Sequence, residues 1–197
     1  MTHVPPRRSP ISILLHWLTL LLLAVLVAAI LVRDDMEGKP LKLLLLNAHR
    51  SLGLLVLGVL IPRFLLWLNH EIRHGKSAEP NLWLRLSAFG AHFAIFGFLF
   101  VLPVLGWMAS SARGQTVSVF GLIPLPPLTG MDTDYADDLV HYHEVGAWIL
   151  GGLVTLHVAA ALWHHFIRGD HVLVNMLPKR FVKTSKQELS QLSQGES

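Results

Sequence analysis

The sequence predicts an all-α integral membrane protein, a four-transmembrane-helix bundle with both termini cytoplasmic. Three observations carry this reading. Hydrophobic residues fill 52% of the 197 positions and the mean hydropathy is +0.50, more apolar than a soluble domain of this length requires. Apolar runs recur at about 11–32, 41–68, 82–109 and 139–167, and each reaches the roughly 20 residues that a spanning helix needs. Basic residues, finally, divide unevenly between the two ends of those runs.

The first run, "ISILLHWLTLLLLAVLVAAILV", follows Arg7 and Arg8. It is longer than the roughly 7–15 apolar residues of a cleaved signal, so it is expected to stay in the protein as a span. "RDDMEGKP" makes a tight outer connection to the second run, and "NHEIRHGKSAEPN" reads as the inner loop to the third. Pro62 and Pro103 fall inside runs two and three, where membrane helices tolerate them as shape features. Residues 110–138 form a long connection, rich in Gly and Pro yet apolar in "VFGLIPLPPL", expected to lie on the membrane face as a lid. The fourth run follows. Residues 1–178 thus form one membrane domain, and 179–197 a polar cytoplasmic tail expected to be disordered.

With the N-terminus inside, the cytoplasmic side receives Arg7, Arg8, Arg63, Arg73, Lys76, Arg85, Arg168, Lys179, Arg180, Lys183 and Lys186. The other side keeps Arg33, Lys39, Lys42, Arg50 and Arg113 with most of the aspartates. Eleven against five sets the orientation. The sequence pI near 9.5 reflects this bias and a basic tail, with no implication of nucleic-acid binding. The absence of cysteine excludes disulfides, iron–sulfur clusters, thiolate-ligated haem and covalent Cys-x-x-Cys-His haem attachment.

The twelve histidines carry the chemistry. His3, His70, His74 and His171 fall in expected aqueous segments. His16, His49, His92, His143 and His157 fall within the apolar runs, where an ionisable side chain points to function. Counting about 1.5 Å per residue from the flanking charges puts His16 and His157 in the inner half and His49 and His143 in the outer half. Along the fourth run His143 and His157 lie fourteen residues apart, which is about 21 Å of rise on nearly one face. One helix can therefore serve two stacked sites. Paired imidazoles at two depths suit two b-type haems with bis-histidine axial ligation, a set that leaves iron no open position and favours electron transfer. Small residues beside them, Gly53, Gly146, Ala160 and Ala161, would leave room for a flat macrocycle, or serve helix packing. His92, His164, His165 and Arg168 are candidates for propionate or quinone contacts.

"SILLHW", "NAHRSLG", "RFLLWL", "VLPVLGWM", "YHEVGAWIL", "LHVAAALWHHFIRGD" and "NMLPKR", in this order over residues 10–180, resemble the bacterial cytochrome b561 family. The resemblance implies a four-helix inner-membrane di-haem protein with axial ligands at His16, His49, His143 and His157. It also implies superoxide oxidation at the outer face with ubiquinone as electron acceptor. Arg113 matches a basic position of the family pattern, and Lys39, Lys42 and Arg50 are further cations for steering the superoxide anion. "DDLVHYHE" departs from some relatives in having Val140 and His141 where they carry a lysine before the histidine. Two other functions fit the residues less fully. One is a haem-bearing membrane anchor and electron carrier for a partner dehydrogenase. The other is a non-haem, histidine-based metal transporter, which should place carboxylates or methionines at depth, where only Glu144 comes near.

Overall fold

The structure, a computed structural model, describes residues 8–78, 81–169 and 173–177. The expected tail at 179–197, with Arg7, His3 and His171, lies outside the described residues. Four helices dominate, each long and apolar enough to cross a bilayer, and the chain is a multi-pass helical membrane protein. The bundle has a terminal end, where α1 begins and α4 finishes, and a hairpin end, where the long loop sits.

Helix α1, Pro10–Asp35, starts on Ser9, whose hydroxyl accepts from the Ser12 amide at 3.2 Å, with Pro10 in the first turn. Gly38, at φ 93°, makes the short turn into α2. Helix α2, Lys39–Ala78, is 40 residues long and corrects the expected inner loop: residues 69–78 continue the helix. No proline interrupts that stretch until Pro80, which disfavours helical geometry at the residue before it. Asn81 then caps α3, Leu82–Ala112, by accepting from the Trp83 and Leu84 amides. Helix α4, Thr133–Phe166, begins six residues before the expected position 139. Asp132 accepts from the Tyr135 amide at 3.0 Å and Asp134 adds negative charge to the first turn, both favourable at a helix N-terminus. A 3₁₀ turn at Val174–Met176 follows, and its Met176 carbonyl accepts from the Trp17 indole at 2.7 Å.

The loop between α3 and α4 contains a small hairpin that the sequence reading did not foresee. Strand β1, Ser118–Val119, pairs antiparallel with β2, Ile123–Pro124. Phe120 and Gly121 take φ of 50° and 74°, the two successive left-handed positions of a type I′ turn. The loop is stitched down over the bundle. Ser51 Oγ donates to the Ser118 carbonyl and accepts from the Phe120 amide, Trp107 Nε1 donates to the Pro126 carbonyl, and Val117 is buried.

The core gathers Leu22 of α1, Val56, Leu60 and Trp67 of α2, Ile95, Phe96, Leu99 and Leu102 of α3, and Leu150 of α4. Helix α1 packs along α2, α2 on α3, and α3 along α4, whereas α4 makes at most slight backbone contact with α1 or α2. That leaves a seam between α4 and the first two helices, and the histidines face each other across it.

Candidate cofactor sites

At the hairpin end His49 of α2 faces His143 of α4, with ring centroids 6.1 Å apart. His49 Nδ1 lies 2.9 Å from the Leu26 carbonyl of α1, and His143 Nδ1 lies 2.9 Å from the Leu102 carbonyl of α3. A carbonyl only accepts, so each Nδ1 carries the ring proton and each lone pair is on Nε2. Such a partner also fixes the ring's orientation and raises its basicity as a ligand.

At the terminal end His16 of α1 faces His157 of α4 at 6.3 Å. Here the support differs. Arg63 Nη2 donates to His16 Nδ1 at 3.1 Å, which leaves that ring's proton on Nε2. His157 makes no hydrogen bond among the described residues. His92 of α3 donates Nδ1–H to the Ala88 carbonyl at 2.7 Å, stacks on Trp67 and stands edge-on to His157 at 5.1 Å.

The residues fit a bis-histidine haem. A ligating imidazole nitrogen sits about 2 Å from its metal and about 1.1 Å from its own ring centre, so two rings on opposite sides of one ion have centroids roughly 6.2 Å apart. Both pairs have that spacing. A Cβ added to Gly53, one turn from His49, would meet nothing within 4 Å, which leaves space beside that ring. Among the described residues no group of three or more His, Asp or Glu is placed to hold a metal, so each site brings two opposed imidazoles, a donor set that would suit a macrocycle supplying the remaining ligands. Gly146 does not share this role: a Cβ there would come within 2.8 Å of Leu102, so this glycine lets α3 and α4 approach.

The remaining candidates are scattered. His164 and His165 end α4 seven and eight residues beyond His157, about two turns. Arg168 follows, exposed, past the helix end. Lys39 is exposed and Lys42 half-buried at the start of α2. Arg113 is held by Asp137 at 2.7 Å. Arg50 instead binds the neutral side chains of Asn47 and Gln115, close enough to Arg113 and Arg33 to feel their charge. His70 and His74 are not loop groups: they stand on the α2 extension with ring centroids 5.1 Å apart and line a cavity of about 220 Å³ with Ser9, Ser12 and Arg73. Burial lowers the pKa of Arg8, which precedes α1, while nearby Glu71 acts in the opposite direction. Sequence reasoning passed over Arg63 by counting it among inner-side loop charges. The available signal was its place inside an apolar run.

Comparison with known proteins bears on this geometry. Residues 7–179 match the family described as prokaryotic cytochrome b561. Two Escherichia coli K12 proteins named cytochrome b561 homolog 1 and homolog 2 are 29% and 30% identical, covering 88% and 90% of this chain and 98% and 95% of their own lengths. A Yersinia pestis protein named probable superoxide oxidase CybB is 29% identical over 88% of this chain and 97% of its own. The match spans all four helices and both histidine pairs, and the chain belongs to the prokaryotic cytochrome b561 family of haem b membrane electron-transfer proteins.

Proposed function

We propose that the protein is a di-haem superoxide:ubiquinone oxidoreductase of the bacterial inner membrane. One haem b is held by His49 and His143, the other by His16 and His157, and both termini are cytoplasmic. The observation that carries this reading is the pair of opposed imidazoles at two depths along one seam, each with the centroid spacing of two axial ligands. The name of the Yersinia relative supports the substrate, and the basic residues of the terminal end support the orientation.

Bound haem supplies reversible one-electron chemistry. The chain's own residues do the rest. The Leu26 and Leu102 carbonyls hold the hairpin-end rings by Nδ1, which leaves each Nε2 lone pair free and would let both rings hold the haem iron. All four paired rings are half-buried along the seam. Arg50, lacking a carboxylate partner among the described residues, offers a cation beside the hairpin-end site that attracts an anion. Two superoxide anions would give up one electron each and leave as dioxygen, while one quinone would take both electrons and two protons to become quinol.

The test is haem quantification followed by rapid mixing with superoxide, with and without ubiquinone. Two haems per chain, reduced by superoxide and reoxidised by quinone, are expected. Two haems that superoxide fails to reduce would reassign the protein as an electron-carrying anchor for a partner dehydrogenase, and absence of haem would end the reading.

A further inference from the structure

Arg63 lies within the apolar run of α2, one residue after Pro62. Its guanidinium donates to the His16 ring nitrogen at 3.1 Å and lies over the Phe96 ring, whose centroid is 5.2 Å from the guanidinium carbon. No carboxylate pairs with it among the described residues, and the charge that reaches it is Arg8, of the same sign. Other arginines are served differently: Arg33 has Asp34, Arg113 has Asp137, Arg8 has Glu71 nearby, and Arg50, also without a carboxylate among the described residues, is bonded to Asn47 and Gln115. A guanidinium inside a bilayer without an anion is costly, and such a residue faces a functional partner as a rule.

Its hydrogen bond to His16 is also unlike the support of the other pair. A carbonyl at Nδ1 leaves Nε2 ready to ligate, whereas a guanidinium at Nδ1 leaves Nε2 protonated. The terminal-end pair is therefore complete in spacing but not in protonation. Both anomalies are removed by one event, the arrival of a carboxylate that draws the guanidinium away from His16. The ring proton then moves from Nε2 to Nδ1 with no net gain or loss.

Resting on the di-haem reading above, we infer that Arg63 is the carboxylate-binding residue of the terminal-end site, exchanging its contact with His16 Nδ1 for a propionate of the haem held there. The planar fork of arginine matches a carboxylate with two parallel hydrogen bonds. Its charge offsets that of the propionate next to the iron, so reduction at this end is easier than it would be beside an uncompensated anion.

The experiment compares full-length wild type, Arg63→Met and Arg63→Lys in spectroscopic redox titrations, together with binding of haem and its dimethyl ester to protein made without haem. Arg63→Met should shift the electron's equilibrium between the two haems at least tenfold toward the hairpin end, about 59 mV for one electron, with the hairpin-end midpoint unchanged. Arg63→Lys should restore most of the shift. Wild type should bind the ester several-fold more weakly at the terminal end, and Arg63→Met should lose that discrimination. An unchanged terminal-end midpoint in Arg63→Met overturns the inference, as does equal binding of acid and ester by wild type, a comparison that needs no variant to fold. Failure of the underlying reading looks different: wild type itself would lack a second haem.

Discussion

The Nδ1–H groups of His49 and His143 are tied to carbonyls of neighbouring helices, so each ring is aimed by an element other than its own. On the di-haem reading, deleting either imidazole would remove one iron ligand while leaving only a helix carbonyl behind, so the fold should survive while the haem at that end is lost. Purified His143→Ala is expected to hold one haem per chain instead of two and to lose the hairpin-end spectral component, and His157→Ala the terminal-end one, both read by haem extraction and difference spectra. Arg50→Gln removes a cation without breaking an ion pair. It should slow haem reduction by superoxide several-fold at low ionic strength and flatten the salt dependence of that rate, measured by stopped flow. The juxtaposition of rings was legible in the sequence because rise and phase along a helix are nearly fixed: fourteen residues return His157 to the face of His143. The role of Arg63 was not legible, since it depends on how α2 is rotated against α1, and no periodicity in either helix encodes that angle.

Glycines mark where helices meet and where they stand apart. At Gly146 the Leu102 side chain already occupies the space of a Cβ, so Gly146→Leu would force α3 and α4 apart at a cost of about 1–3 kcal/mol, read as a lower melting temperature in detergent. At Gly53 the space is open. Gly53→Leu should therefore leave helicity unchanged, by circular dichroism, while reducing haem occupancy at the hairpin end. Trp67, buried among Phe64, Phe89 and Phe96, holds α2 to α3, and Trp67→Ala should destabilise by about 3–5 kcal/mol in chemical unfolding. The four spans were legible from apolar length alone. Their ends were less so: polarity suggested that α2 stops near Leu68, but a helix leaving the bilayer can run on where no proline stops it, and the next proline after Pro62 is Pro80. The hairpin escaped notice because Phe120 occupies a left-handed position usually given to Asn, Asp or Gly.

The molecule as a whole is a chain of helix pairs in which α4 is held mainly by α3. Cofactors bridging the seam would contribute their binding free energy to the folded state only, so protein made without haem should melt at a markedly lower temperature than the loaded form, as followed by tryptophan fluorescence. Its orientation is equally testable, because the chain has no cysteine to remove. Thr116→Cys, exposed in the loop, should react with a membrane-impermeant maleimide on intact spheroplasts, and Ser9→Cys only after lysis; the reverse pattern would invert the proposed topology. Charge asymmetry carried that orientation in the sequence, although Arg63, one of the residues counted, belongs to the interior of a span and not to a loop.

The fourth helix contributes one imidazole to each pair and is the last of the four described spans in chain order. On the di-haem reading neither porphyrin could be clasped until this helix has been made, so iron or haem shortage would act on chains already in the membrane. Quality-control proteases would then meet a polypeptide whose seam is still open.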